Sequence, residues 1–240
     1  MKASTYFFMG KISDDTSRFQ VQQEPMGKLF LEVYIDGIAI WGATRKKFDN
    51  FWPEIKEAFE IIISTYIFKT KKPITYSIVD WVEAKETISR ENIIGWIIGK
   101  HKKGTPRPRR SKFNTPWKKA ASIYPKLVTM ANHRLALKDF KAAMLDSGDD
   151  AFFFAYRAVE DICRAITGAT EIGKSEWQAM HKTIGTRTTQ IKPITKVSKK
   201  IRHGDVENNV VKRARKNRDF YLDIARDVIF KEFKRTFPEF

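Results

Sequence analysis

The segment Lys199-Lys200-Ile201-Arg202-His203-Gly204-Asp205 sets one imidazole among cations. Histidine titrates near neutral pH, so it can carry a proton in phosphodiester cleavage. Arginine and lysine can hold the scissile phosphate and stabilise the charge that develops on it. His203, Arg202 and Lys199 are therefore the candidate catalytic residues. The same stretch also suits a turn leading into a helix. Gly204 would permit the bend, Asp205 would cap the helix and His203 would pack locally. The remaining histidines, His101, His133 and His181, show no metal-binding spacing, since no two of the four lie within five residues. Asp14-Asp15 and Asp149-Asp150 are adjacent carboxylates that read as turn and capping residues rather than an acid–base pair. No phosphate loop, nucleophile elbow, zinc-protease helix motif or dinucleotide fingerprint occurs. The single cysteine, Cys163, excludes an intrachain disulfide and a thiolate metal cluster. No metal or cofactor is expected.

Around this segment the charge is strongly uneven. The 240 residues carry a net charge of +17. Lys100–Lys141 holds thirteen Lys/Arg against one acid, Asp139, and Arg187–Arg218 holds eleven against Asp205 and Glu207. Those segments carry net +12 and +9, so the remainder of the chain is net −4. A field concentrated in this way attracts polyanions. The candidate phosphate-binding residues in the first block are Lys102, Lys103, Arg107, Arg109, Arg110 and Lys112, followed by Lys118 and Lys119. In the second they are Lys200, Arg213 and Arg215. Phe113 and Trp117 could stack on bases, or simply pack a helix. An acidic protein partner or a merely solubilising surface would use the same charges.

The elements that must position these residues divide into two kinds. Residues 1–100 read as a small mixed α/β domain. Lys28–Ile35 and Ile38–Trp41 flank Asp36-Gly37, a hairpin signal. Thr5–Met9 and Arg18–Val21 are weaker strand candidates, and Ile74–Val82 is another strand. Between them Pro53 suits the first turn of a helix with Ile55, Phe59, Ile62, Ile63 and Tyr66 on its buried face. A short helix is expected over Glu91–Ile98. Residues 101–112 form a basic, Pro-containing linker. Residues 113–240 read as helical. The spacing predicts a stripe of Leu127, Val128, Ala131, Leu135, Phe140 and Met144. A clear helix follows, with Phe152 through Ile166 on one face, capped by Asp149 or Asp150 and ended by Gly168. Another helix is expected over Ser175–Thr183, with Trp177 and Met180 on its apolar side. A long final helix is expected from Asp205 to Phe237, ended by Pro238. The fold class is therefore α+β. No run of 18 apolar residues exists, so no membrane span is expected. The N-terminal apolar run is too short for a signal peptide, and the cytoplasm is the expected compartment.

One family pattern is legible in the helical part. Ala155-Tyr-Arg-Ala-Val-Glu160, then Trp177, then Ile201-Arg-His-Gly204 before a last helix resemble the helical HEPN-type domains (higher eukaryotes and prokaryotes nucleotide-binding). The resemblance covers roughly Phe113 to Phe240. It implies a helical bundle, often dimeric. It also implies either metal-independent ribonuclease activity in toxin–antitoxin, antiphage or CRISPR-linked systems, or a binding or assembly role without catalysis. Active members place an arginine, four to six residues, then a histidine. Upstream of His203 those positions hold Ser198, Val197 and Lys196, and no other histidine has the arginine either. The expectation is a HEPN-like nucleic-acid-binding protein, RNA favoured over DNA, of a prokaryotic defence or toxin-type system. The alternatives are a metal-independent endoribonuclease using His203, and an assembly subunit that docks an acidic protein or ribonucleoprotein. A homodimer is compatible with each.

Overall fold

A computed structural model describes residues 4–12, 24–34, 37–84 and 115–240. The fold is α+β: an antiparallel sheet precedes an all-helical region. Arg18–Val21, Glu91–Ile98, the basic linker and Phe113 lie outside the described residues. Lys102, Lys103, Arg107, Arg109, Arg110 and Lys112 lie outside them too.

Tertiary contacts separate two units, and the division does not follow chain order. One comprises Met1–Phe59 with Thr75–Ala121, the other Glu60–Ile74 with Ser122–Phe240. The first contains β1 (Ser4–Ile12), β2 (Glu24–Met26), β3 (Leu29–Tyr34), β4 (Gly37–Thr44) and β5 (Tyr76–Ala84), in the order β2-β3-β4-β1-β5. β1 is an interior strand between β4 and β5, and Tyr6, Phe7, Phe8 and Met9 are all buried. A strand buried on both faces reads as a continuous apolar run, which is why its sequence shows no alternation. The hairpin expected at Asp36-Gly37 forms, with a different register. Gly37 pairs with Tyr34 as the first residue of β4, so it is not a central turn residue.

Helix α1 (Phe48–Thr70) begins five residues before Pro53, not at it. Its early turns pack Phe48, Phe51 and Trp52 on Tyr6 and Phe8, residues that share one face of β1. Gly10, next on that face, permits this approach. A Cβ there would lie 2.6 Å from a Phe59 ring carbon. The later turns, residues 60–70, belong to the second unit. There Ile61 through Phe68 are all buried, the polar Ser64 and Thr65 included, so the helix is covered all round and not on the single expected face.

The remaining helices are α2 (Thr115–Leu127), α3 (Ala131–Leu145), α4 (Asp150–Thr167), α5 (Lys174–Ile184), α6 (Thr188–Arg202), α7 (Asn209–Lys216) and α8 (Arg218–Thr236). The stripe running through Leu127 and Val128 fails because the chain turns at 128–130. In α3 the inward residues are His133, Ala136, Leu137, Asp139, Phe140 and Ala143, while Leu135 is exposed. The long final helix is two helices, broken at Asn217, and α6 was not anticipated as a helix. Arg218 begins α8 directly after the break. Its guanidinium donates to the carbonyls of Ala143 (2.5 Å), Met144 (3.3 Å) and Asp146 (2.7 Å), closing the C-terminal end of α3. Asp149 does not cap α4 through its side chain. That carboxylate accepts two hydrogen bonds from Arg215 instead, at 2.8 and 2.6 Å. Gly168, at φ 71°, ends α4 as expected.

Phe68 of α1 meets Phe140, Phe233 and Phe240 in the second unit's core. Beside it Glu232 is fully buried. His133 Nε2 donates to it at 3.0 Å, Arg235 donates twice at 2.7 and 2.8 Å, and Thr236 Oγ1 donates at 2.8 Å. Burial alone would raise this carboxyl. The hydrogen bonds from His133, Arg235 and Thr236, with the Arg235 charge, outweigh it and hold the pKa down at about 2.

Candidate nucleic-acid interface

Helix α6 carries five of the eleven cations of the second basic block. Its inner side is Ile191, Ile194, Val197 and Ser198, all buried. Lys192, Lys196, Lys199 and His203 are all exposed. Their spacing of four, three and four residues puts them on one stripe of the helix, about 16 Å long. Pro193 sits inside this helix. A proline in the middle of the segment hides the apolar period from a sequence reading, although Ile191, Ile194, Val197 and Ile201 keep helical spacing.

His203 is the C-terminal boundary of α6, and Gly204 follows at φ 72°. That backbone region favours glycine, so the bend expected at Gly204 forms, while His203 is exposed and does not pack locally. Asp205 is not a cap. Its carboxylate accepts from Lys200 Nζ at 2.9 Å and from Asn208 Nδ2 at 3.1 Å, and Lys200 holds it below the usual carboxylate range. Asn208 is the cap of α7, accepting from the Val210 amide at 2.9 Å.

The expected site residues separate by partner. Lys199 is exposed with no carboxylate partner among the described residues, as are Arg187, Lys192, Lys196, Arg213 and Lys216. Lys200 is tied to Asp205 and Arg215 to Asp149, so both are neutralised locally. The first basic block is also partly structural. Lys126 donates to the Thr236 carbonyl at 2.6 Å, Arg134 to the Val128 carbonyl, and Lys141 to Glu60 at 2.5 Å. Lys118 is exposed and Lys119 half-buried on α2. Trp117, offered as a stacking residue, is 1% exposed. It packs the helix instead.

Arg202 does not join His203. Adjacent helical residues point about 100° apart, and Arg202 turns to α4. Its guanidinium lies 5.4 Å from the Phe153 ring centre and 5.1 Å from that of Tyr156, with Glu160 Oε1 at 3.7 Å. Arg157 is 5.6 Å from the same Phe153 ring, and its Nε is 3.1 Å from Asp139. Burial, then the Glu160 charge and hydrogen bond, push the Tyr156 phenol up to about 12, against the opposing effect of Arg202. Sequence reasoning missed this cluster because its members come from three helices. The signal available was the repeat Phe153, Arg157, Glu160, Arg164 along one side of α4.

Beneath it, Asp139 and Asp161 are both buried. Burial raises both carboxyls. Asp161 rises to about 6, with the Asp139 charge adding to burial and Arg164 opposing it. A raised carboxyl leaves stability unpenalised below the ordinary value of 3.8 and loses it as pH climbs through about 6. A rise of that size corresponds to about 3 kcal/mol, less what Arg164 loses when its partner is neutral. Asp161→Asn is therefore expected to be more stable than the parent at pH 8 and near parity at pH 4, read by thermal melting. Equal differences at the two pH values would contradict this.

His181 is a separate feature. Its Nδ1 lies 2.8 Å from Thr186 Oγ1, its ring stacks on Trp177, and burial lowers its pKa. Among the described residues no group of three or more His, Cys, Asp or Glu could hold a metal ion, and no helix is long and apolar enough to cross a membrane.

Residues 120–233 match a family model described as "Domain of unknown function (DUF8168) C-terminal domain". The match runs from within α2 to within α8. No curated protein and no solved structure matches the chain.

Proposed function

We propose that the helical unit is a HEPN-like nucleic-acid-binding module that grips an RNA backbone along α6. The observation that carries this reading is the exposed stripe of Lys192, Lys196, Lys199 and His203. Cations 4–6 Å apart along a helix axis can each meet a phosphate of an extended strand, while the buried isoleucines fix the helix in the bundle. The unmatched Arg213 and Lys216 of α7 add to the same electrostatic term. A role within a prokaryotic defence or toxin-type system rests on the family resemblance alone, and a cytoplasmic location is proposed with it. RNA is favoured over DNA on the same ground. The direct test is binding of a labelled unstructured RNA, measured by anisotropy, with Lys192→Ala/Lys196→Ala/Lys199→Ala as the comparison. Affinity is expected to drop by one to two orders of magnitude in the variant. Equal binding by both proteins would remove α6 as the interface.

Metal-independent RNA cleavage is the second reading, favoured by the position of an exposed His203 at the end of the stripe. Arg202, turned to Glu160, lends it no support. Incubation with mixed RNAs in EDTA decides the point: cleavage must appear and must vanish in His203→Ala.

A further inference from the structure

Phe153 and Arg157 of α4 and Arg202 of α6 form a small aromatic–guanidinium platform, and three features of it bear on what it can bind. Both guanidinium groups lie within 6 Å of one ring, at 5.6 and 5.4 Å. Each is already matched by a carboxylate, Arg157 by Asp139 and Arg202 by Glu160. Yet their side chains stay 43% and 44% exposed. Arginines neutralised in this way are poor grips for a phosphate, whose charge would have to compete with a carboxylate at contact distance. Their flat faces are a different matter. A planar guanidinium stacks on an aromatic ring or a base without giving up its ion pair. The carboxylates and the ring also restrict its rotamers, so little further order is lost when a base arrives.

Arg202 is one residue from His203, where the lysine stripe ends. A strand whose phosphates follow Lys192, Lys196 and Lys199 would therefore bring a nucleotide to this end of α6. We infer that the Phe153–Arg157–Arg202 platform stacks an unpaired base, and that the partner of this interface is single-stranded nucleic acid. In a duplex the bases are stacked on one another and cannot reach such a platform, whereas the duplex phosphates can still meet the lysines. Strand preference thus resides in the platform and general affinity in the stripe. The inference rests on the nucleic-acid reading above.

The test compares an unstructured RNA of about 12 nucleotides with its perfect duplex, by anisotropy at one salt concentration. It uses the full chain, Arg202→Lys and Arg157→Lys. Both variants keep the charge and lose the plane. Phe153→Leu keeps apolar bulk and loses the ring, and covers the case in which a lysine variant does not fold. The parent is expected to favour the single strand roughly tenfold. Each variant is expected to lose most of that preference, with duplex affinity changed less than about threefold. Equal affinity of the parent for strand and duplex would overturn the inference and leave the binding reading intact, as would variants that keep the parent's preference. A parent that binds neither form would overturn the binding reading itself.

Discussion

Raising the salt concentration from 50 to 200 mM is expected to weaken RNA binding by on the order of 10²–10³-fold. The expectation comes from counting cations that are free to release counterions. Arg187, Lys192, Lys196, Lys199, Arg213 and Lys216 are exposed and have no carboxylate partner among the described residues. About six neutralised phosphates give a slope of log affinity against log salt near −4 for a single strand and near −5 for a duplex. The remaining cations of the second block should not count. Lys200, Arg202, Lys212 and Arg215 are each matched by an acid, and Arg218 is spent on backbone carbonyls. Removing Lys192, Lys196 and Lys199 together should therefore roughly halve the slope. Anisotropy titrations at four or five salt concentrations give both numbers. A parent affinity that changes less than about threefold over the range would eliminate the electrostatic interface.

Replacing Glu232 by alanine is expected to destabilise the helical unit by about 3–5 kcal/mol. Glu232 is fully buried and accepts from His133, Arg235 and Thr236. Removing the carboxylate leaves the His133 donor buried without a partner. Arg235 suffers less, because its side chain is 48% exposed and can turn to water. The pH dependence has a definite sign. The carboxyl lies at about 2 in the folded protein, below its ordinary 4.5. Its stabilisation is thus fully present above about pH 4.5 and is lost as pH falls through about 2. Thermal melts followed by circular dichroism should show the variant lower by roughly 10 °C at pH 7, with the gap narrowing in acid. A gap of less than about 2 °C at pH 7 would show that the network is dispensable.

Glu232 was invisible as a core residue before folding because it looks like any helical glutamate. In the sequence it is one acid in a charged final segment, between Lys231 and Lys234. Only the packing of α8 on α3 brings His133, ninety-nine residues away, to its oxygen. Arg215 and Trp117 teach the same lesson in reverse. Their types suggested phosphate binding and base stacking. A carboxylate from the α3–α4 turn takes the one, and the helix interior takes the other.

Some features needed no tertiary structure. Local pattern determined the β3–β4 hairpin, because β-branched and aromatic runs on either side of a short turn have few other options. It determined α4 and its end at Gly168, where a wide apolar face and a left-handed glycine coincide. It also determined that charge concentrates in Arg187–Arg218, since charge is additive along the chain. The turn at His203-Gly204 was legible as one of two alternatives. What the sequence could not decide was which charges remain available. An ion pair depends on distance between side chains far apart in the chain, and distance is set by helix packing. That packing gave Arg202 to Phe153 and Glu160 on α4, took Arg215 and Arg218 into structural roles, and left Lys192, Lys196, Lys199 and His203 together on an open helical stripe.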